Sequence, residues 1–116
     1  VVNSGLEGAD PTPGPGTAEM NARLAFFRPL LAAAERPKPI DGLPAAEAWG
    51  AWLPVIDGAG LAATDERALV VRRELGEHRT WGTTSTTLVA LRRDGLRYDF
   101  NAKPGRPNRW QTVVGG

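Results

Sequence analysis

The chain contains no cysteine. That excludes disulfides, thiolate metal sites, CxxC redox chemistry and a cysteine nucleophile within these 116 residues. Its single histidine, His78, cannot build a multi-histidine zinc site. No apolar run approaches the ~20 residues of a transmembrane helix. No basic segment leads into an apolar stretch at the start, so no signal peptide is visible and the expected compartment is the cytoplasm. Charge of one sign is also lacking: 14 Lys and Arg face 13 Asp and Glu, a formal +1. Such balance supplies no broad field for nucleic acid or an acidic membrane surface. Neither GxxxxGKS/T nor GxGxxG is present, and no cofactor is expected.

What the chain does have is loop-forming residues. Its 14 glycines and 10 prolines make up about a fifth of the residues, against a usual ~12%. Hydrophobic residues at 41% and charged ones at 23% are near the globular norm. At 116 residues, fewer than the ~150 of a typical domain, the chain holds one domain or a piece of one.

Val1-Val2-Asn3 followed by Ser4-Gly5 reads as a strand end entering a turn, so the sequence is expected to begin in mid-fold. Residues 6 to 16 carry three Pro and three Gly and read as a loop. Thr17 suits an N-cap, with Glu19 in the first turn. Met20, Leu24, Phe27, Leu31 and Ala34 then form one helical face. Pro29 is expected to kink or split that helix after Arg28, and Pro37 and Pro39 to end it.

A second helix is expected from Pro44 at its first position. Trp49, Trp52, Leu53 and Ile56 share one of its faces, which directs both indoles to the core, while Pro54 threatens its last turn. Thr64-Asp65-Glu66 looks like a third, short helix start before the extended Leu69–Arg73. From Trp81 to Leu91 the chain is rich in β-branched residues, and Asp94-Gly95 signals a hairpin. Leu96, Tyr98 and Phe100 alternate with Arg97, Asp99 and Asn101, giving one apolar and one polar face. After a loop from Lys103 to Pro107, Trp110 to Val114 reads as a last strand. Helices first and an antiparallel strand meander second argue for an α+β fold.

Four ordered segments resemble a known family. They are Val2-Asn3-Ser4-Gly5-Leu6, Phe27-Arg28-Pro29-Leu30-Leu31, Leu69-Val70-Val71-Arg72-Arg73, and Thr80-Trp81-Gly82-Thr83-Thr84-Ser85-Thr86-Thr87-Leu88-Val89-Ala90-Leu91 followed by Arg97-Tyr98-Asp99-Phe100. Together they resemble the C-terminal half of bacterial NRDE-family proteins, relatives of the eukaryotic transport and Golgi organisation family. The resemblance implies that residues 1–116 form a single segment of a larger NRDE-like domain, part of an αββα sandwich of the N-terminal-nucleophile hydrolase type. It further implies an amide or acyl hydrolase whose nucleophile lies on an N-terminal half of the same protein, absent from this sequence. A family Cys and Asn-Arg-Asp-Glu signature would belong to that half, and neither occurs here. The alternative on the same fold is a non-catalytic domain that binds a small molecule or handles lipid or haem.

Asn3 is the candidate catalytic residue, as an oxyanion donor, because amidohydrolases of this fold often aim an Asn amide at the tetrahedral intermediate. The competing reading is an Asn chosen for turn geometry. The Thr83–Thr87 run could line a polar pocket, although a half-buried strand accounts for it more simply. His78 could join Ser85 and an aspartate in a triad, but Glu77-His78-Arg79 is expected as a solvated turn between strands. Arg72, Arg73, Arg79, Arg92, Arg93 and Arg97 are expected to pair with Glu74, Glu77, Asp94 and Asp99 on a wet sheet face, with one Arg on an acidic ligand as the alternative. Trp49, Trp52, Trp81 and Trp110 could stack on a planar ligand, but the first two are expected as core.

Overall fold

A computed structural model describes residues 17–116. The expected strand end at Val1–Asn3 and the loop over 6 to 16 lie outside the described residues.

Helix α1 spans Thr17–Ala33 and runs through Pro29 without a break. The expected split does not occur: a proline removes one N–H and one ladder bond, and the turns on either side hold. Its apolar face buries Phe27, and Arg23 Nε ties it to the carbonyl of Ala68 at 2.7 Å. The Arg67 guanidinium lies 4.8 Å from the Phe26 ring centroid, a second tether to the same loop.

The expected second helix is two short ones, α2 (Ala45–Trp49) and α3 (Trp52–Ile56), with Pro44 capping the first from outside. The break falls at Gly50, whose φ of +52° is left-handed and ends α2. Trp49 and Leu53 are nevertheless buried and Trp52 half-buried, as their spacing requires. No helix forms at Thr64. The Asp65 carboxylate accepts the Arg67 backbone N–H at 2.9 Å and the Arg67 guanidinium at 2.9 and 3.1 Å. Those bonds hold a turn in place of a helix and keep the carboxyl down at about 2.

The strands form two antiparallel sheets. In the first, β1 (Arg72–Glu74) pairs with β2 (Thr80–Gly82) around Glu77 and His78, both at positive φ. A Cβ on Gly82 would run into the Val71 carbonyl oxygen, so only glycine permits this approach. The second sheet is the meander β3 (Thr86–Arg92), β4 (Gly95–Asn101) and β5 (Trp110–Val114), in that order. Arg92 pairs with Gly95, so the hairpin turn is Arg93-Asp94, one residue earlier than the Asp-Gly signal suggests. A bulge opposite Tyr98 and Asp99 shifts the register of β5.

Helices α2 and α3 cover one face of this meander. Ala48, Trp49, Leu53 and Leu88 form the core cluster, with Leu43, Ile56, Ala90 and Trp110 packed around it. The architecture is therefore mixed α+β, helices followed by antiparallel strands in two small sheets. No helix among the described residues is long and apolar enough to cross a membrane.

Candidate functional site

Strand β4 is turned over relative to its expected orientation. Arg97, Asp99 and Asn101 are each 0% exposed, facing the helices, while Leu96, Tyr98 and Phe100 face away from them. The wet ion-pair face is thus a dry one at its centre. Asp99 Oδ2 accepts from Arg97 Nε at 2.7 Å and from Trp49 Nε1 at 2.7 Å. Its Oδ1 accepts from Arg97 Nη2 at 3.1 Å and from the Thr112 hydroxyl at 2.6 Å. Arg97 spends its remaining donors on the carbonyls of Ile40 and Leu43, both at 2.8 Å, and on the Thr112 oxygen. Burial by itself would raise the Asp99 carboxyl. The bonds from Arg97, Thr112 and Trp49, with the Arg97 charge, outweigh that and hold it below the ordinary carboxylate range. Full bonding offsets the penalty for dry charge, and the pair staples the helix-bearing 40–49 segment to the sheet.

The opposite, outer face of the meander is apolar and bare among the described residues. Leu91 is 79% exposed, Val113 57% and Val89 50%. Leu96 and Val114 are also exposed, and Tyr98 and Phe100 meet edge to face with centroids 6.4 Å apart. Register makes this surface continuous: Val89 lies opposite Tyr98, Leu91 opposite Leu96, and Tyr98 opposite Val114. Isolated exposed apolar side chains are ordinary, whereas a connected face of this kind is uncommon on a monomer.

Along the edge of β3 runs a cleft of about 580 Å³, with Ile40, Trp49, Trp52 and Leu91 in its walls and Arg36 and Lys38 among its lining residues. Another, of about 650 Å³, is floored by Leu53, Pro54 and Leu61 and contains Asp57. Trp110 Nε1 donates to Asp57 Oδ1 at 2.9 Å, while Oδ2 is buried without a partner among the described residues. Burial pushes the Asp57 carboxyl up, and the Trp110 bond offsets only part of that. Among the described residues, no second acid or base accompanies it in that cleft.

Asn3 lies outside the described residues. His78 sits in the exposed β1–β2 turn, and among the described residues it bonds neither Ser85 nor an aspartate, so no triad assembles. Thr83 lies between strands, where its hydroxyl accepts from Val71 N–H at 3.0 Å and donates to the Leu69 carbonyl at 3.1 Å. Of the arginines, Arg72 pairs with Glu74 at 3.5 Å at the surface as expected, whereas Arg92 sits 3.9 Å from the expected Asp94 but 2.9 Å from Asp41, and Arg73 reaches Glu19 of α1 at 3.5 Å. Trp81 is exposed and Trp110 half-buried. No group of three or more His, Asp or Glu among the described residues could hold a metal ion.

No protein-family model, curated protein or solved structure matches this chain. The class defined by fold and surface is a helix-covered antiparallel sheet with one apolar face uncovered among the described residues.

Proposed function

We propose that this chain is the C-terminal half of an NRDE-like αββα sandwich, and that the complete protein is an amide or acyl hydrolase of the N-terminal-nucleophile type. The carrying observation is the bare outer face of the β3–β4–β5 meander beside its sealed, charged inner face. In a four-layer sandwich each sheet has helices on one side and the other sheet's apolar side chains on the other. One helical layer and one sheet with that polarity are what these residues supply. The second sheet, contributed by the N-terminal half of the same protein, would carry the nucleophile. The N-terminal side chain would attack the acyl carbon, giving its proton to the α-amine, while Asn3 donates to the oxyanion; the C–N bond then breaks, the α-amine passes the proton to the leaving amine, and water hydrolyses the acyl-enzyme.

The test begins with the coding frame upstream of Val1, followed by assay of the encoded protein on a panel of N-acyl amides. The expected result is an N-terminal nucleophile and turnover that disappears when it is replaced. Asn3→Ala should then lower turnover on the order of a hundredfold or more with folding intact. A start codon directly before Val1 would deprive the hydrolase reading of its nucleophile.

The cleft along β3 favours a second reading. Indole and aliphatic walls edged by Arg36 and Lys38 suit an amphipathic anion, so the same scaffold could bind or carry a lipid or haem-like molecule without turnover. Saturable quenching of tryptophan fluorescence by a fatty acid, with no product from the amide panel, would favour it. Product release would sink it.

A further inference from the structure

Although the chain is almost neutral, its charge is unevenly placed. Between β4 and the 3-10 turn Pro107–Arg109, a short loop carries Lys103 and Arg106. These two line a cleft of about 490 Å³ to which the first sheet contributes Arg72 and Thr80, and the segment that follows it contributes Thr83 and Thr84. On another side of the loop, Lys103 and Arg106 join Asn108 and Arg109 around a second cleft of about 460 Å³. Among the described residues, no Asp or Glu lines either one. Lys103, Arg106 and Arg109 take part in no ion pair among the described residues. The Arg72–Glu74 pair, at 3.5 Å with both side chains about two-thirds exposed or more, is a weak competitor for an incoming anion.

The loop is built rather than loose. Fully buried Asn101 accepts the Lys103 backbone N–H at 2.7 Å and donates its amide to the Arg106 carbonyl at 2.9 Å. Arg106 N–H returns to the Lys103 carbonyl at 3.1 Å, and Gly105 takes the left-handed φ of +84° that closes the turn. The two cations therefore stand on a backbone clamped from the protein interior. Across the cleft, the two bonds of the Thr83 hydroxyl fix the facing wall. Cation placement prepared in this way lowers the ordering cost of binding.

The geometry points to this cleft as a binding site for a phosphate-bearing ligand, with Lys103 and Arg106 on one side and Arg72 and Thr84 on the other. A planar carboxylate is satisfied by one guanidinium fork. A phosphate offers acceptor oxygens in several directions and suits cations that come from two elements. The volume is that of a small-molecule site. This inference is independent of the hydrolase reading and of the bare sheet face.

The test is calorimetric titration of the intact protein with inorganic pyrophosphate in about 0.15 M salt, where loose surface attraction is screened. Citrate serves as the polycarboxylate comparison, and phosphatidylcholine vesicles doped with phosphatidic acid serve as the lipid arm. The expected result is saturable binding that Lys103→Ala and Arg106→Ala each weaken about tenfold, while Arg93→Ala, on the distant hairpin turn, leaves it unchanged. Pyrophosphate binding identifies a soluble phosphate ester as the ligand type. Co-sedimentation with the doped vesicles alone, lost in the same two variants, identifies a lipid headgroup. Absence of both, citrate binding as tight as pyrophosphate, or binding that the two variants leave intact would overturn the site. All three variants alter exposed side chains, and circular dichroism confirms that each is folded.

Discussion

Replacing Asp99 with alanine should be the most damaging single change on the inner face of the meander. It strips Arg97 of its only carboxylate partner among the described residues and leaves the Trp49 indole N–H without its acceptor, both in a dry environment. Breaking a buried pair from one side costs about 3–5 kcal/mol, because the remaining charge stays uncompensated. That is a large part of the roughly 5–15 kcal/mol that holds a domain folded. With a urea dependence of about 2 kcal/mol/M, the midpoint should fall by about 2 M in equilibrium unfolding followed by far-UV circular dichroism. The same experiment on Arg97→Met/Asp99→Leu should show a smaller loss than Asp99→Ala alone, since neither charge then remains buried. A loss below about 1 kcal/mol for Asp99→Ala, or strictly additive losses in the double-mutant cycle, would refute the buried network as the staple between helices and sheet.

Asp57 and Asp99 should give opposite pH signatures. The folded Asp99 carboxyl lies below its unfolded value, so its stabilisation is full above about pH 4 and is lost as pH falls through the depressed value. Asp57 is raised, so the unfolded chain ionises first and stability drops as pH climbs from about 4 through the raised value. Asp57→Asn keeps an acceptor for Trp110 and should raise Tm at neutral pH, with the gain vanishing in acid; a gain that persists in acid would contradict this. Gly82→Ala should cost about 1–3 kcal/mol, because its new methyl meets the Val71 carbonyl rather than a yielding side chain. Gly76→Ala, with open space but a φ of +78°, should cost about 1–2 kcal/mol from backbone strain alone; equal thermal stability of Gly82→Ala and wild type would show that the two strands can separate at no cost.

Periodicity located most elements, since hydrophobic spacing and turn residues act locally. Phe27 in α1, Trp49 and Leu53 in the paired short helices, and the Arg93-Asp94 hairpin stand where spacing and turn chemistry put them, to within a residue or a single glycine break. The orientation of β4 did not follow from the same rule. Leu-Arg-Tyr-Asp-Phe-Asn alternates equally well either way up, and preference for the apolar side assumes that the polar one has water as its partner. Here the partners are protein groups far along the chain: an indole 50 residues earlier, two carbonyls more than 50 residues earlier and a threonine on the next strand. Local patterning carries no record of such contacts. The Asn101 clamp on the Lys103–Arg106 loop was hidden for a related reason, because a lone Asn before a turn reads as turn chemistry whether it is buried or wet. Asp65 is the converse case, a helix-start signal whose side chain closed a turn instead.

The claim that a second sheet of the same protein covers the outer face is tested most directly by the accessibility of residue 91. The absence of cysteine from these 116 residues makes Leu91→Cys a unique label here, and peptide mapping separates it from any cysteine elsewhere in the gene product. Maleimide labelling should be fast in the isolated 116-residue chain, where Leu91 is 79% exposed, and slower by about a hundredfold or more in the protein as its gene encodes it. Equal, fast labelling in both would mean that no second sheet covers the face. Fast labelling of residue 91 in the protein as its gene encodes it, whatever the rate in the isolated chain, would contradict the sandwich.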